Sequence, residues 1–205
     1  GLFINRGNIV ATQDSRGQVY MLADDNDGVE FKGPLVVLTS RLSASASEIV
    51  SGALQDYGRA VIVGADHTFG KGTVQAMMNL PADLGAIKVT TGMFYIPGGK
   101  STQHQGVSAD IVIPSAFSSK DIGEQSLDYS LPANTISPFR SQEAKLAEAS
   151  WEPVEKAILD KLRNFSASRI QKDTEFKKIL TELEDLERKK GVIKLSDSLK
   201  KQKEV

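Results

Sequence analysis

Apolar and polar positions alternate over two short runs near the start of the chain, Ile9-Val10-Ala11-Thr12 and Gln18-Val19-Tyr20-Met21. The stretch between them, Asp14-Ser15-Arg16-Gly17, is built of turn formers, so the pattern predicts a β-hairpin. Leu35-Val36-Val37-Leu38 is too short for a helix and rich in β-branched residues, which predicts a buried strand. Ile49, Val50, Ala53, Leu54 and Tyr57 then recur at the spacing of one helix face, and Ala60-Val61-Ile62-Val63 reads as the next strand. A strand, a helix and a strand in that order favour a parallel pair. Residues 74–80 and 86–96 predict two further strands around the turn Pro81-Ala82-Asp83-Leu84-Gly85, and Pro97-Gly98-Gly99 closes the second. Ile111-Val112-Ile113-Pro114 predicts a short edge segment, because proline cannot continue a central strand.

From Ser115 the pattern changes. Residues 115–138 carry Ser, Asp and Pro with little periodicity, as in a linker or a segment wrapped on the core. Beyond Ser141, Leu and Ile at helical spacing among charged residues predict helices near 141–164, 173–190 and 193–203. Asp173-Thr174 is placed to cap the second and Gly191 to end it. The Lys/Glu mixture of this tail reads as solvated helix faces. The expected division is 1–116 for an α/β core and 117–205 for a linker and helical extension.

Composition narrows the chemistry. The 205 residues are 40% hydrophobic, enough for a sizeable core. A net charge of −1 offers no electrostatic case for nucleic acid or an anionic membrane surface. The chain contains no cysteine, which excludes disulfides, thiol catalysis and thiolate metal sites. No apolar run approaches the length of a membrane span. The opening Gly1-Leu2-Phe3-Ile4 reads as the middle of something longer, with the N-terminal part expected to be missing. The acidic run Asp24-Asp25-Asn26-Asp27-Gly28 is read as a solvated turn. Aligned on Gly28, a calcium loop would need ligands where Ala23 and Pro34 stand.

Two features carry candidate chemistry. Ser45-Ala46-Ser47-Glu48 has the spacing of a capping box, in which the serine oxygen accepts from the backbone N–H three residues on. The same position suits a nucleophile. The free N–H groups and positive dipole end of a helix start can stabilise an oxyanion, at roughly 3–4 kcal/mol per good donor, with Ala46 N–H the local one. Spacing does not choose among Ser43, Ser45 and Ser47. Lys71, between Gly70 and Gly72, is either surface decoration or a base. As a base it must be neutral, which requires desolvation to bring its pKa down from about 10.4. A phosphate-binding reading of Gly64 to Thr73 would suit a nucleotide-binding domain. It meets five residues between the glycines instead of four, glycine at position 72, and a strand where a helix should start. His67 and His104 lie in polar loops and read as ordinary surface residues, with no zinc-site pattern around them.

Taken together, Arg41-Leu42-Ser43-Ala44-Ser45-Ala46-Ser47-Glu48-Ile49, Gln55-Asp56-Tyr57-Gly58-Arg59-Ala60 and Thr68-Phe69-Gly70-Lys71-Gly72-Thr73-Val74-Gln75 closely resemble the C-terminal processing (tail-specific) proteases. Ser101-Thr102-Gln103, Gly106-Val107 and Asp110-Ile111-Val112-Ile113-Pro114 continue the likeness. Ser168-Arg169-Ile170 and Lys172-Asp173-Thr174-Glu175-Phe176 resemble the C-terminal extension of the larger periplasmic members.

The resemblance implies part of a ClpP/crotonase-like α/β core followed by an α-helical extension. It implies a serine endopeptidase, without a cofactor, that acts in the periplasm on proteins with apolar C-terminal tails, and it suggests an adaptor protein as a further partner. It carries the nucleophile to Ser45, the general base to Lys71 and the oxyanion donor to Ala46. The supporting role falls on Gln75, which a strand would put on the same face as Lys71, or on Asp56 in another branch. The loop before Lys71 is one residue longer than the family's commoner Gly-Glu-Pro-Thr form. The family's PDZ domain, and the glycine-rich strand end that gives the second oxyanion donor, have no counterpart in these residues. A non-catalytic docking module of the parent protein and a nucleotide-binding domain are the alternatives.

Overall fold

The computed structural model describes residues 1–141, 151–189, 192 and 195–196. Two sheets form an α/β core. The first is antiparallel and four-stranded, built from β1 (Gly7–Asp14), β2 (Val19–Asp24), β5 (Thr73–Asn79) and β6 (Ala86–Tyr95) in the order β2-β1-β6-β5. The second is parallel and three-stranded, with β3 (Val36–Thr39), β4 (Val61–Gly64) and β7 (Ile111–Val112) in the order β3-β4-β7. Helix α1 (Ala46–Asp56) forms the crossover between β3 and β4, as the β-α-β pattern predicts. The predicted hairpin turn forms because Asp14 Oδ1 accepts from the N–H groups of Arg16 and Gln18, at 2.9 and 3.0 Å.

The core lies between α1 and the parallel sheet. Leu54 and Tyr57 of the helix segment pack with Ala60, Ile62, Ile4, Val29 and Trp151. The Tyr57 hydroxyl donates to the Asn8 carbonyl at 2.8 Å, which ties α1 to the first sheet. Gly64 ends β4 with φ +153°, and a Cβ there would lie 1.8 Å from the Thr39 carbonyl oxygen, so β3 and β4 approach this closely only over glycine. The buried-strand expectation for Leu35 to Leu38 holds on one face only. Leu35 and Val37 pack against the core, while Val36 and Leu38 are 56% and 78% exposed. Side chains alternate along a strand, and β3 is an edge strand whose second face is uncovered among the described residues.

Residues 115–138 wrap on the core. Ser101 N–H donates to Asn134 O, Ile136 N–H to Gly99 O, and Glu124 N–H to Phe69 O, at 2.8–3.0 Å. Arg41, almost fully buried, forks onto Asp66 and also donates to the carbonyls of Ser119 and Ile122. The acidic run 24–28 is a turn: Asp24 Oδ1 accepts from Asn26 N–H, and Arg6 pairs with Asp27.

The first tail helix departs from its prediction. Residues 142–150 lie outside the described residues, and α2 runs from Lys156 to Lys172 instead of ending near 164. Ahead of it the chain is held extended by Trp151, buried against Arg59, and by Val154 N–H on Gly58 O at 2.9 Å. Asp173 caps α3 (Thr174–Arg188) as predicted, accepting from the N–H groups of Glu175 and Phe176. The predicted stop at Gly191, and the third helix at 193–203 apart from Leu195 and Ser196, fall outside the described residues. Arg163 of α2 donates to the Asp110 carbonyl at 2.7 Å, beside β7.

Arg59 is the hub between core and tail. Its guanidinium donates to the carbonyls of Phe3 (2.7 Å) and Phe31 (2.6 Å) and lies 5.9 Å from the Phe31 ring centre and 5.6 Å from that of Trp151. Truncating Trp151 opens a cavity and strips one face from a buried cation. Trp151→Ala is expected to lower unfolding stability by about 3–5 kcal/mol, read as a lower urea midpoint at unchanged slope. An unchanged midpoint would mean that the tail is not anchored through this residue.

Candidate active site

Ser45 is the N-cap of α1 and has φ 59° and ψ −114°, a positive-φ conformation costly for a residue with a Cβ. Its neighbours are engaged locally. Ser43 Oγ accepts from Ser40 N–H at 3.1 Å, and Ser47 Oγ donates to the Ala44 carbonyl at 2.8 Å. The capping box is present: the Glu48 N–H faces Ser45, 2.9 Å from its carbonyl oxygen, and the Glu48 carboxylate faces the Ser45 N–H. The Ser45 hydroxyl donates to no described residue, which leaves its proton for other work.

The conformation is held by Glu48, which is fully buried. Its Oε2 accepts from Ser45 N–H at 2.8 Å and from Lys71 N–H at 2.9 Å. Its Oε1 accepts from Gly70 N–H at 2.7 Å and from the Thr68 hydroxyl at 2.5 Å. One carboxylate therefore fastens the start of α1 to the loop that carries Lys71. Burial pushes its carboxyl above the ordinary range and outweighs these hydrogen bonds, which favour the charged form.

The glycines beside Lys71 are there for close approach. A Cβ on Gly72 would lie 2.5 Å from Ser101 Oγ and 2.6 Å from the Gln103 backbone nitrogen. Buried Gln103 accepts from Gly72 N–H at 2.8 Å, and the Thr102 hydroxyl donates to the Lys71 carbonyl at 3.2 Å. The Lys71 amine donates to the Thr73 carbonyl at 2.9 Å.

Ser45, Ala46, Lys71 and Gln75 line one cleft of about 400 Å³. Val10, Leu22, Ile49, Val74 and Phe94 give it apolar walls. Ala46 N–H donates to no described residue, as an oxyanion donor requires.

Two candidates are placed differently from the simplest expectation. Lys71 precedes β5 and does not share a strand with Gln75. The register also shifts between Val74, opposite Gly92, and Gln75, opposite Thr90. Gln75 Nε2 lies 3.5 Å from Thr90 Oγ1, and the amine is met by the Thr73 carbonyl instead. Asp56 is the last residue of α1, about 15 Å along the helix axis from its start. It does not line the cleft. Its Oδ2 accepts from Gly98 N–H at 2.6 Å, and burial raises its pKa above the ordinary carboxylate value.

The phosphate-binding alternative fails on the same contacts. The N–H groups of Gly70 and Lys71 already bind a carboxylate, that of Gly72 binds Gln103, and β5 follows in place of a helix. The histidines are half-buried: His67 Nδ1 lies 2.6 Å from the Thr68 carbonyl and His104 Nε2 2.8 Å from Ser130 Oγ. Sequence reasoning found Glu48 only as a capping residue, and gave no role to Thr68, the Thr73 carbonyl or Gln103. The signal available was the glutamate three residues after a serine.

Residues 1–113 match the model of peptidase family S41, and residues 117–204 match that of the C-terminal domain of tail specific protease. The tail-specific protease of Haemophilus influenzae is 36% identical over 190 residues, 89% of this chain and 26% of that protein. The carboxy-terminal-processing protease of Bartonella bacilliformis is 44% identical over 112 residues, 54% of this chain and 25% of that protein. The chain thus spans about a quarter of these relatives' length. Among solved structures, the photosystem II D1 C-terminal processing protease is similar over 60% of this chain and 34% of its own, with 31% identity and a TM-score of 0.50.

Because the folded state raises the Glu48 pKa, it binds that proton more tightly than the unfolded chain does. The stability gained in this way is fully present below the unfolded value, about 4.3, and is lost as pH rises through the higher folded value. Glu48→Gln removes the titration and turns an amide NH₂ toward N–H or O–H donors. The variant should be less stable by about 1–3 kcal/mol at neutral pH. Its deficit should narrow as pH rises through that window, as read from urea unfolding at a series of pH values. A deficit that widens with pH would contradict the assignment.

Proposed function

The chain belongs to peptidase family S41, and we propose that the whole protein is a serine endopeptidase working through a Ser45–Lys71 dyad on proteins with apolar C-terminal tails. The observation that carries this reading is the convergence of Ser45, Ala46 and Lys71 on one cleft, with Glu48 bonded to the backbone of both Ser45 and Lys71.

In this reading the neutral Lys71 amine takes the Ser45 hydroxyl proton as Oγ attacks the peptide carbonyl. The Thr73 carbonyl accepts from the Lys71 amine and so helps to hold it in the cleft that Ser45 also lines. Charge developing on the carbonyl oxygen is met by Ala46 N–H and the positive end of α1. The lysine ammonium returns its proton to the leaving amine, and water then hydrolyses the acyl-serine ester with the lysine again as base. The apolar walls suit apolar substrate side chains. Gln75 lines the cleft at the edge strand as a substrate contact, and Asp56 acts structurally by fixing the Gly98 turn. The resemblance supports a periplasmic setting, and it supports an adaptor as a further partner.

Peptide cleavage by the whole protein tests the reading. Ser45→Ala and Lys71→Ala should each lower kcat/KM by about 10³-fold or more, whereas Asp56→Asn should stay within a few fold of wild type. Undiminished turnover in either dyad variant would sink the assignment, and an Asp56→Asn loss as large as theirs would restore the aspartate to the mechanism.

A further inference from the structure

The cleft contains a second lysine that the dyad chemistry leaves unused. Lys88 stands on β6 opposite Met77 of β5, in the same hairpin register that pairs Thr90 with Gln75. Residues paired across a sheet share a face, so Lys88 and Gln75 reach the cleft from one side of the hairpin, and both line it. Lys88 is exposed and forms no hydrogen bond or ion pair with any described residue. Among the described residues no Asp or Glu lines the cleft, and Val10, Leu22, Ile49, Val74 and Phe94 supply much of its wall. A cation with no counter-charge among the described residues, beside an apolar wall, favours an anionic group on whatever enters.

Resting on the peptidase reading, we propose that Lys88 is a specificity residue that receives a carboxylate of the peptide lying in the cleft. The enzyme therefore favours substrates carrying a negative charge close to the bond that is cut. The charge has two sources, an acidic side chain flanking the scissile bond or the free C-terminal carboxylate of a short tail. Either makes the same charge-assisted hydrogen bond to an ammonium group. The apolar walls select the neighbouring side chains and Lys88 sets the charge preference.

The test uses the whole protein as wild type and as Lys88→Met, Lys88→Arg and Lys88→Glu, each first shown to unfold at the wild-type midpoint. One peptide series is C-terminally amidated and carries Glu, Gln or Lys in turn at each position flanking the scissile bond. A second has neutral side chains and a free or an amidated C-terminus. At low salt, wild type should cleave the best negatively charged peptide about fivefold better in kcat/KM than its neutral match. That preference should vanish in Lys88→Met, survive in Lys88→Arg, turn toward the Lys peptide in Lys88→Glu, and shrink as salt rises. Turnover of neutral amidated peptides should be equal in all four proteins, which separates charge recognition from a structural role. The series in which the preference occurs identifies the source of the carboxylate. A wild type indifferent to charge, or a Lys88→Met variant that keeps the preference, overturns the proposal while the peptidase reading stands. Absence of cleavage of every peptide by wild type overturns that reading and the proposal with it.

Discussion

The buried carboxylate of Glu48 is the interaction on which the site depends. Two of its acceptor positions are taken by the backbone on either side of the cleft, at Ser45 and Lys71, and two more by Gly70 and Thr68. Thr68 passes the connection on, because its hydroxyl oxygen accepts from Val107 N–H at 2.8 Å. A charged group without water must be saturated with donors, and here the donors are the segments that have to be aligned. The positive φ of Ser45 persists because this arrangement over-determines it. An apolar residue at position 48 would leave four donors without a partner.

Around this knot the packing is close and mostly backbone. Gly70 and Gly72 let the Lys71 loop lie against residues 101–104, where a Cβ on either would come within 3 Å of a neighbouring atom. The wrapped segment 115–138 presses on the same loop through Glu124 N–H on Phe69 O and through Gln103 Nε2, which donates to Leu131 O at 2.9 Å. Arg41 and Arg59 perform the corresponding task for the segments further out, each buried and each donating to two backbone carbonyls.

Much of this was legible in the chain because the signals were local. Alternating runs located the first hairpin, the turn formers between Pro81 and Gly85 marked the second, the 3.6-residue period of Ala53, Leu54 and Tyr57 located α1, and Asp173 announced the start of α3. What escaped was non-local. Whether both faces of β3 are covered depends on neighbours that its own residues do not encode. The extended stretch ahead of α2 is held by Trp151 against Arg59, a contact 92 positions away in the chain, although Pro153 is a local signal against a helix there. In the site, the family resemblance pointed to Ser45 and Lys71, but nothing in the chain marks the Thr73 carbonyl that meets the amine, since a carbonyl is present at every residue. The start of β5 at Thr73, which leaves Lys71 outside the strand, and the register shift at Val74 and Gln75 are likewise invisible in composition.

On the proposed mechanism Ser45, and neither neighbouring serine, attacks with Lys71 as its base. This is tested most directly by trapping the acyl-enzyme formed from an activated peptide ester, quenching in acid and mapping the added mass. The expected result is an acyl group on Ser45 in the wild-type protein and none at the same reaction time in Lys71→Met. An adduct on Ser43 or Ser47, or one forming on Ser45 at an undiminished rate without the lysine, would contradict it.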